Sequence, residues 1–284
     1  MNREIETMLK KVQNCCLDIV SQIDAICKRH GIEYSLCAGS VIGQYLYCGF
    51  IPWDDDIDIL MTRKNYNRFL KIAEAELPAP YRLVKSGAGN NTNVLFSKVI
   101  NEKTTMVEQG VDGNYKVSGI FVDITVFDKL PRNLWIRAYD ILIMKLMHIS
   151  YVGKIKGRNP LRNLIAFVLS GKKERLFDYL KRILEKNDMY SEYDYAELYY
   201  GLTISYDRSI FESYSDVEFE GKKLSMMTDY MRYLETRYRR KEFYRDDANA
   251  KPPHLVYVSM DKSYEDFKIE NISSDCVVAR NKPF

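Results

Sequence analysis

Three features of this 284-residue chain predict an α/β (α+β) protein with a mixed-sheet core and a helical insertion. Between residues 31 and 130 short apolar runs alternate with stretches of helical period, the order expected of a sheet covered by helices. Asp54, Asp55, Asp56 and Asp58 crowd together just ahead of one of those apolar runs, which reads as a core strand. Beyond Pro131 the pattern changes to long helical segments with no comparable strands.

Taken in order, the elements follow from spacing. Apolar side chains recur at helical intervals from Ile5 to Cys27 and stop at Gly31, which predicts a long amphipathic helix. Residues 32–37 read as a short strand, Ala38-Gly39-Ser40 as a turn, and residues 41–47 as a helix ended by Gly49. In an extended strand, residues two apart share a face, so Asp56 and Asp58 point together while Ile57 and Ile59 turn to the core. Residues 63–76 form the next helix, ahead of Pro78 and Pro80. Residues 81–85, 93–100, 104–108 and 119–127 read as strands between Gly and Asn turns, the last holding a single internal acid, Asp123. Further helices are predicted over 133–152, 160–170, 173–187 and 226–239. The expected organisation is an N-terminal helix (1–30) packed on an α/β core (31–130), a helical module (131–210) and a C-terminal segment (211–284) that returns to the core.

Composition narrows the class. A formal net charge of +3 gives no general attraction to nucleic acid. Residues 1–11 are polar and no apolar leader follows, while the apolar stretch 135–152 is broken by Arg137, Asp140, Lys145 and His148. A cytoplasmic location is expected. Six cysteines (Cys15, Cys16, Cys27, Cys37, Cys48, Cys276) without a C-x-x-C pair predict reduced, packing thiols, and the three histidines exclude a histidine-rich metal site. Residues 153–182 hold nine Lys or Arg against Glu174 and Asp178, interleaved with Leu161, Leu164, Ile165, Phe167, Val168 and Leu169. That pattern fits peripheral contact with the anionic inner face of the cell membrane, or a core helix with a solvated basic face.

The carboxylates carry the chemistry. Ionised groups this close repel, and burying one without a partner costs several kcal/mol, so the cluster points to a cation among them. An acidic solvated turn or an N-cap cluster is the alternative. All-oxygen ligands suit Mg²⁺ or Mn²⁺. A Gly39-Ser40 turn at a helix start, the Asp56 and Asp58 pair, and Asp123 follow one another along the chain. Each has a use in phosphoryl transfer: N–H groups for a phosphate, paired ligands for a divalent ion, and a third carboxylate to complete the metal site or accept a proton.

These residues resemble a known family. Gly39-Ser40-Val41-Ile42-Gly43 through Gly49-Phe50-Ile51-Pro52-Trp53-Asp54-Asp55-Asp56-Ile57-Asp58-Ile59 is similar to the signature of the LicD phosphotransferases, which include bacterial phosphocholine transferases and fukutin-type ribitol-phosphate transferases. Gly119-Ile120-Phe121-Val122-Asp123-Ile124, ending in Asp128, resembles the family's second acidic strand. Looser matches are Lys98, Thr104-Thr105, Phe219-Glu220-Gly221 through Tyr238, and Pro252-Pro253-His254.

The resemblance implies a nucleotidyltransferase-like fold and metal-assisted transfer of a substituted phosphate from a CDP-linked donor, commonly CDP-choline, to a glycan hydroxyl. On it Asp56, Asp58 and Asp123 are metal ligands, with Asp123 the alternative proton acceptor. Gly39 and Ser40 cradle a phosphate, Lys98 neutralises phosphate charge, and His254 contacts donor or acceptor. Many members carry an Arg-His pair where this chain has Leu46-Tyr47, which leaves the donor open. Tyr190, Tyr193, Tyr195, Tyr199, Tyr200 and Tyr206 offer aromatic faces for a quaternary ammonium, or simply pack. Competing readings are transfer of a nucleoside monophosphate by the same carboxylates, a glycosyltransferase, and a binding protein of the same fold.

Overall fold

A computed structural model describes residues 3–86, 96–109, 115–153, 159–197, 204–245 and 255–268. Helix α1 (Arg3–His30) buries Leu9, Val12, Cys16, Ile19, Val20, Ile23 and Cys27 along one stripe. It ends where Gly31 turns left-handed at φ +56°. After it come β1 (Ser35–Leu36), α2 (Ala38–Tyr47), β2 (Asp58–Thr62) and α3 (Arg63–Glu76). Then follow β3 (Tyr81–Val84), β4 (Ser97–Asn101), β5 (Thr105–Gln109), β6 (Tyr115–Ser118) and β7 (Phe121–Pro131).

The main sheet runs β1-β2-β7-β4-β3. Strand β2 is parallel to β7, and the other pairings are antiparallel, so the sheet is mixed as expected. Strand β7 is eleven residues long, and its two halves do different work. Its first half lies between β2 and β4; its second half, Phe127–Pro131, pairs with β8 (Tyr193–Glu197), which pairs in turn with β9 (Ser205–Tyr206).

Between those partners lie α4 (Leu134–Val152), α5 (Pro160–Leu169) and α6 (Lys173–Lys186). Leu130, Ile143, Met144, Met147, Phe177, Leu180, Leu184 and Ala196 form a small core of their own beneath α4 and α6. The main core joins α1 and the sheet to Phe219, Leu224, Met227, Tyr233, Leu234, Leu255 and Val258, so C-terminal side chains complete it. They come from β10 (Tyr214–Phe219), β11 (Lys222–Met227), α7 (Tyr230–Tyr238) and β12 (Leu255–Ser259). Strand β12 pairs with β5, which pairs with β6.

The structure corrects the expectation of no strands after Pro131. Strands β8 to β11 were obscured because their alternation is mostly polar, Tyr-Ser-Asp-Val-Glu-Phe in β10, and because the β10–β11 turn is Glu220-Gly221. Both turn residues take positive φ, +48° and +74°, the conformation of a tight hairpin without its usual Asn-Gly signal. The helix expected over 226–239 accordingly starts only at Tyr230. Strand 32–37 shrinks to two residues. Among the described residues no helix is long and apolar enough to cross a membrane.

Candidate active site

The loop between α2 and β2 is held from three sides. A Cβ on Gly43 would collide with the Gly49 carbonyl oxygen and lie 2.9 Å from the Ile51 nitrogen, so the glycine lets helix and loop backbone touch. Phe50 meets Phe219 edge-on at 5.1 Å, and Glu220 accepts from the Phe50 N–H at 3.4 Å. From below, Gln13 donates to the Asp54 carbonyl at 2.8 Å, and the Cys16 thiol to the Phe121 carbonyl at 3.4 Å. Motif residues 43–53 and 219–221 thus meet across the fold.

This scaffold brings acids to one edge of the sheet. In the parallel β2–β7 pair Asp58 stands opposite Asp123, and in the β4–β7 pair Lys98 stands opposite Asp123, which makes one row across three strands. Asp56 lies just before β2 rather than in it, yet the predicted parity survives: Ile57 and Ile59 are fully buried, and Asp56 and Asp58 are half-buried. Carboxylate oxygens of Asp54, Asp55 and Asp56 come within 4.8 Å of one another.

The electrostatics of this edge are strained. Burial, followed by the charge of Asp56, pushes Asp54 up to about 8. The same two causes hold Asp55 and Asp58 well above the usual carboxylate range, with Asp123 adding to the effect at Asp58. Asp123 is pushed up to about 7 by burial, with Lys98 opposing and Asp56 adding. Lys98 Nζ sits 3.1 Å from Asp123 Oδ1, an ion-pair contact without hydrogen-bond alignment, and Asp55 Oδ2 is buried with no hydrogen-bond partner. Two buried carboxylate oxygens without a hydrogen bond, Asp55 Oδ2 and Asp123 Oδ1, among crowded acids fit a hard divalent cation as a third party.

The other predicted site residues sit around this row. Helix α2 begins at Ala38, three residues earlier than expected, so Gly39 and Ser40 belong to its first turn rather than to a preceding loop. A Cβ on Gly39 would lie 2.9 Å from Asp54 Oδ2; the glycine lets that carboxylate rest against the helix start. Ser40 is buried, and its hydroxyl accepts the Asp58 N–H at 2.9 Å, which anchors the start of β2. Ala38 takes φ +48°, a left-handed conformation costly for a residue with a Cβ, while its N–H donates to the Tyr233 hydroxyl at 3.0 Å. The Lys98 ammonium also lies 3.1 Å from the centre of the Phe121 ring. His254 lies outside the described residues.

Several residues near the site escaped the sequence reading. Glu108 on β5 raises the proton affinity of both Asp55 and Asp123, so a second sheet adds a carboxylate. Arg237 on α7, ion-paired in the interior with Glu197 of β8, opposes the rise at Asp58. Arg245 donates to the Leu46 carbonyl at 2.8 and 2.6 Å and lies 4.8 Å over the Tyr47 ring, which brings a guanidinium to the place where the chain lacks a basic pair. None of these has a local motif. Asp128, by contrast, is fully buried in a two-pronged ion pair with Arg63 at 2.7 and 2.8 Å, a bond between β7 and α3 that leaves it no reach to substrate.

Of the predicted tyrosines, Tyr195 and Tyr206 are taken up by core packing. Tyr206 is fully buried, stacked on Tyr233 at 5.5 Å and against Phe127 at 5.0 Å, while Tyr195 packs on Phe211 at 5.0 Å. Tyr193 and Tyr195 instead border a cavity of about 710 Å³ that includes Thr62 and Arg63, at the far end of β2 from Asp58. Along a strand that is roughly 13 Å away. Tyr199 and Tyr200 lie outside the described residues.

Residues 31–141 match the LicD/FKTN/FKRP nucleotidyltransferase domain. The LicD match takes in α2, β2 and β7, and with them Asp54, Asp55, Asp56, Asp58, Lys98 and Asp123. The resemblance drawn from two short motifs therefore extends through the whole core that holds the acids. Beyond that core, the chain is similar to the lipopolysaccharide cholinephosphotransferase LicD of Haemophilus influenzae, with 25% identity across 87% of this chain and 96% of that protein.

Proposed function

We propose that the protein is a metal-dependent phosphotransferase. It moves a substituted phosphate, phosphocholine foremost, from a CDP-linked donor to a hydroxyl of a cell-surface glycan precursor such as teichoic acid or lipopolysaccharide, and releases CMP. The observation that carries this reading is the row Asp58, Asp123 and Lys98 across adjacent strands, with Asp54 to Asp56 at its edge, inside a LicD domain. Similarity to a cholinephosphotransferase over nearly the whole of both chains supports the choice of group transferred.

Asp56, Asp58 and Asp123 would hold a Mg²⁺ or Mn²⁺ ion; among the described residues, the three carboxylates whose oxygens already lie within 4.8 Å of one another are those of Asp54, Asp55 and Asp56. When bound, such an ion neutralises and polarises phosphate oxygens. The acceptor hydroxyl oxygen attacks the distal phosphorus of the donor, the bond from that phosphorus to the CMP oxygen breaks, and CMP leaves with the electron pair. Asp123, in contact with Lys98, serves either as the third ligand or as the acceptor of the hydroxyl's proton. Lys98 supplies positive charge beside it, and its ion pair keeps Asp123 from titrating higher still. Gly39 in the first turn of α2 would offer its N–H to a donor phosphate, while Ser40 holds the backbone of Asp58 in register. CDP-linked donors would place the reaction in the cytoplasm.

Incubation with Mg²⁺ and, separately, CDP-choline, CDP-ribitol, nucleoside triphosphates or UDP-sugars, followed by identification of the released nucleotide, tests the proposal. CMP from CDP-choline, absent in Asp58→Asn, is the expected result. Pyrophosphate would mean nucleotidyl transfer and UDP sugar transfer. No product from any donor would leave a binding protein. A greater yield from CDP-ribitol would overturn the choline assignment alone.

A further inference from the structure

Helix α5 presents its apolar side chains outward. Leu161, Leu164, Phe167 and Val168 are 63%, 58%, 61% and 56% exposed, and at 100° per residue they occupy an arc of about 120°. Ala166, buried at 1%, lies on the opposite side and faces the module. A helix of a water-soluble surface has the reverse arrangement. At ten residues it is about 15 Å long, far too short to cross a bilayer.

The charge around this face is predominantly basic. Residues 160–182 contain Arg162, Lys172, Lys173, Arg175, Lys181 and Arg182 against Glu174 and Asp178, a net +4, whereas the whole chain nets +3. The remainder of the chain is therefore at −1. Lys172, Arg175, Lys181 and Arg182 are exposed, and they follow the apolar face directly in the 3₁₀ turn and in α6. A second copy paired through this surface would bring like charges together. An anionic lipid surface satisfies both features, since acyl chains take the aliphatic groups and headgroups take the cations.

We infer that α5 lies flat on an anionic membrane, its Leu161, Leu164 and Phe167 side chains among the acyl chains and Lys172, Arg175 and Arg182 among the headgroups. The inference stands apart from the phosphotransferase reading, because it concerns the helical insertion and not the carboxylate row. Sedimentation of the full chain with vesicles of phosphatidylcholine alone, or of phosphatidylcholine with phosphatidylglycerol, tests it. Binding is expected to the second vesicle, to weaken with salt, and to fall at least about tenfold in L164E/F167E. Each of K172E and R175E should lower affinity about fivefold or more. All four side chains are outside the core, so thermal midpoints should hold and confirm folding. Failure of the wild-type chain to bind phosphatidylglycerol vesicles, or equal binding by L164E/F167E, would overturn the inference. So would a wild-type dimer by light scattering that L164E/F167E converts to a monomer, since a second copy would then be the occupant.

Discussion

Replacing Asp56 by Asn should stabilise the metal-free protein while it abolishes transfer. Asp56 is the neighbour that raises the proton affinity of Asp54, Asp55, Asp58 and Asp123 alike. With carboxylate oxygens of Asp54 to Asp56 within 4.8 Å, repulsion between two ionised groups at an effective dielectric near 20 is about 3 kcal/mol. Partial protonation of the neighbours near neutral pH reduces the net gain to about 1–2 kcal/mol, or roughly 2–8 °C in thermal midpoint for a chain of this size. The pH dependence has a definite sign. Asp54 and Asp123 titrate near 8 and 7 in the folded protein against an ordinary 3.8, so the folded state binds more protons than the unfolded one. Stability of the metal-free protein therefore falls as pH rises from about 4 to about 8. Mg²⁺ bound to the folded chain as proposed should offset that loss by about 2.7 kcal/mol at a hundredfold excess over its dissociation constant. The gain should be larger at about pH 8 than at about pH 5, where protons compete for the same oxygens. Thermal unfolding with EDTA and with Mg²⁺, at both pH values, measures all of this. A lower midpoint for Asp56→Asn in EDTA, or a Mg²⁺ shift undiminished in the variant, would refute the reasoning.

Lys98→Met removes the group that holds Asp123 down, so the acidic limb of the kcat/KM profile should move to higher pH; an unmoved limb would separate Lys98 from the reacting proton. Arg63→Met leaves Asp128 charged in the interior and should cost about 3–5 kcal/mol in urea unfolding. Arg63→Met/Asp128→Leu should recover most of that loss and keep CMP release, as expected of a structural pair. Gly43→Ala forces a Cβ into the Gly49 and Ile51 backbone and should destabilise by about 1–3 kcal/mol, with activity falling because the acidic loop shifts.

Much of the site could be read from local pattern because its chemistry is local. Four acids within five positions are costly wherever they fold, and a period of two assigns Asp56 and Asp58 to one face regardless of where the strand formally begins. Helix α3 starts and ends where the spacing and the two prolines predict. The polar strands were illegible for other reasons: β8 pairs with β7 far earlier in the chain, and the β10–β11 hairpin carries neither a clear apolar alternation nor an Asn-Gly turn. The tyrosine run shows the same limit. Density in sequence suggested an aromatic face, yet Tyr195 and Tyr206 are consumed by core packing.

The acidic motif, its parity and the resemblance to LicD proteins were determined by the sequence alone, since repulsion and side-chain alternation act between near neighbours. Only the tertiary structure decided which acids face one another. The parallel register of β2 on β7 sets Asp58 against Asp123, β4 adds Lys98, and β5 and α7 bring Glu108 and Arg237 toward them. It also separated Asp128 from this group by giving it Arg63, because a buried carboxylate is defined by the charge that reaches it, and that charge comes from 65 residues away.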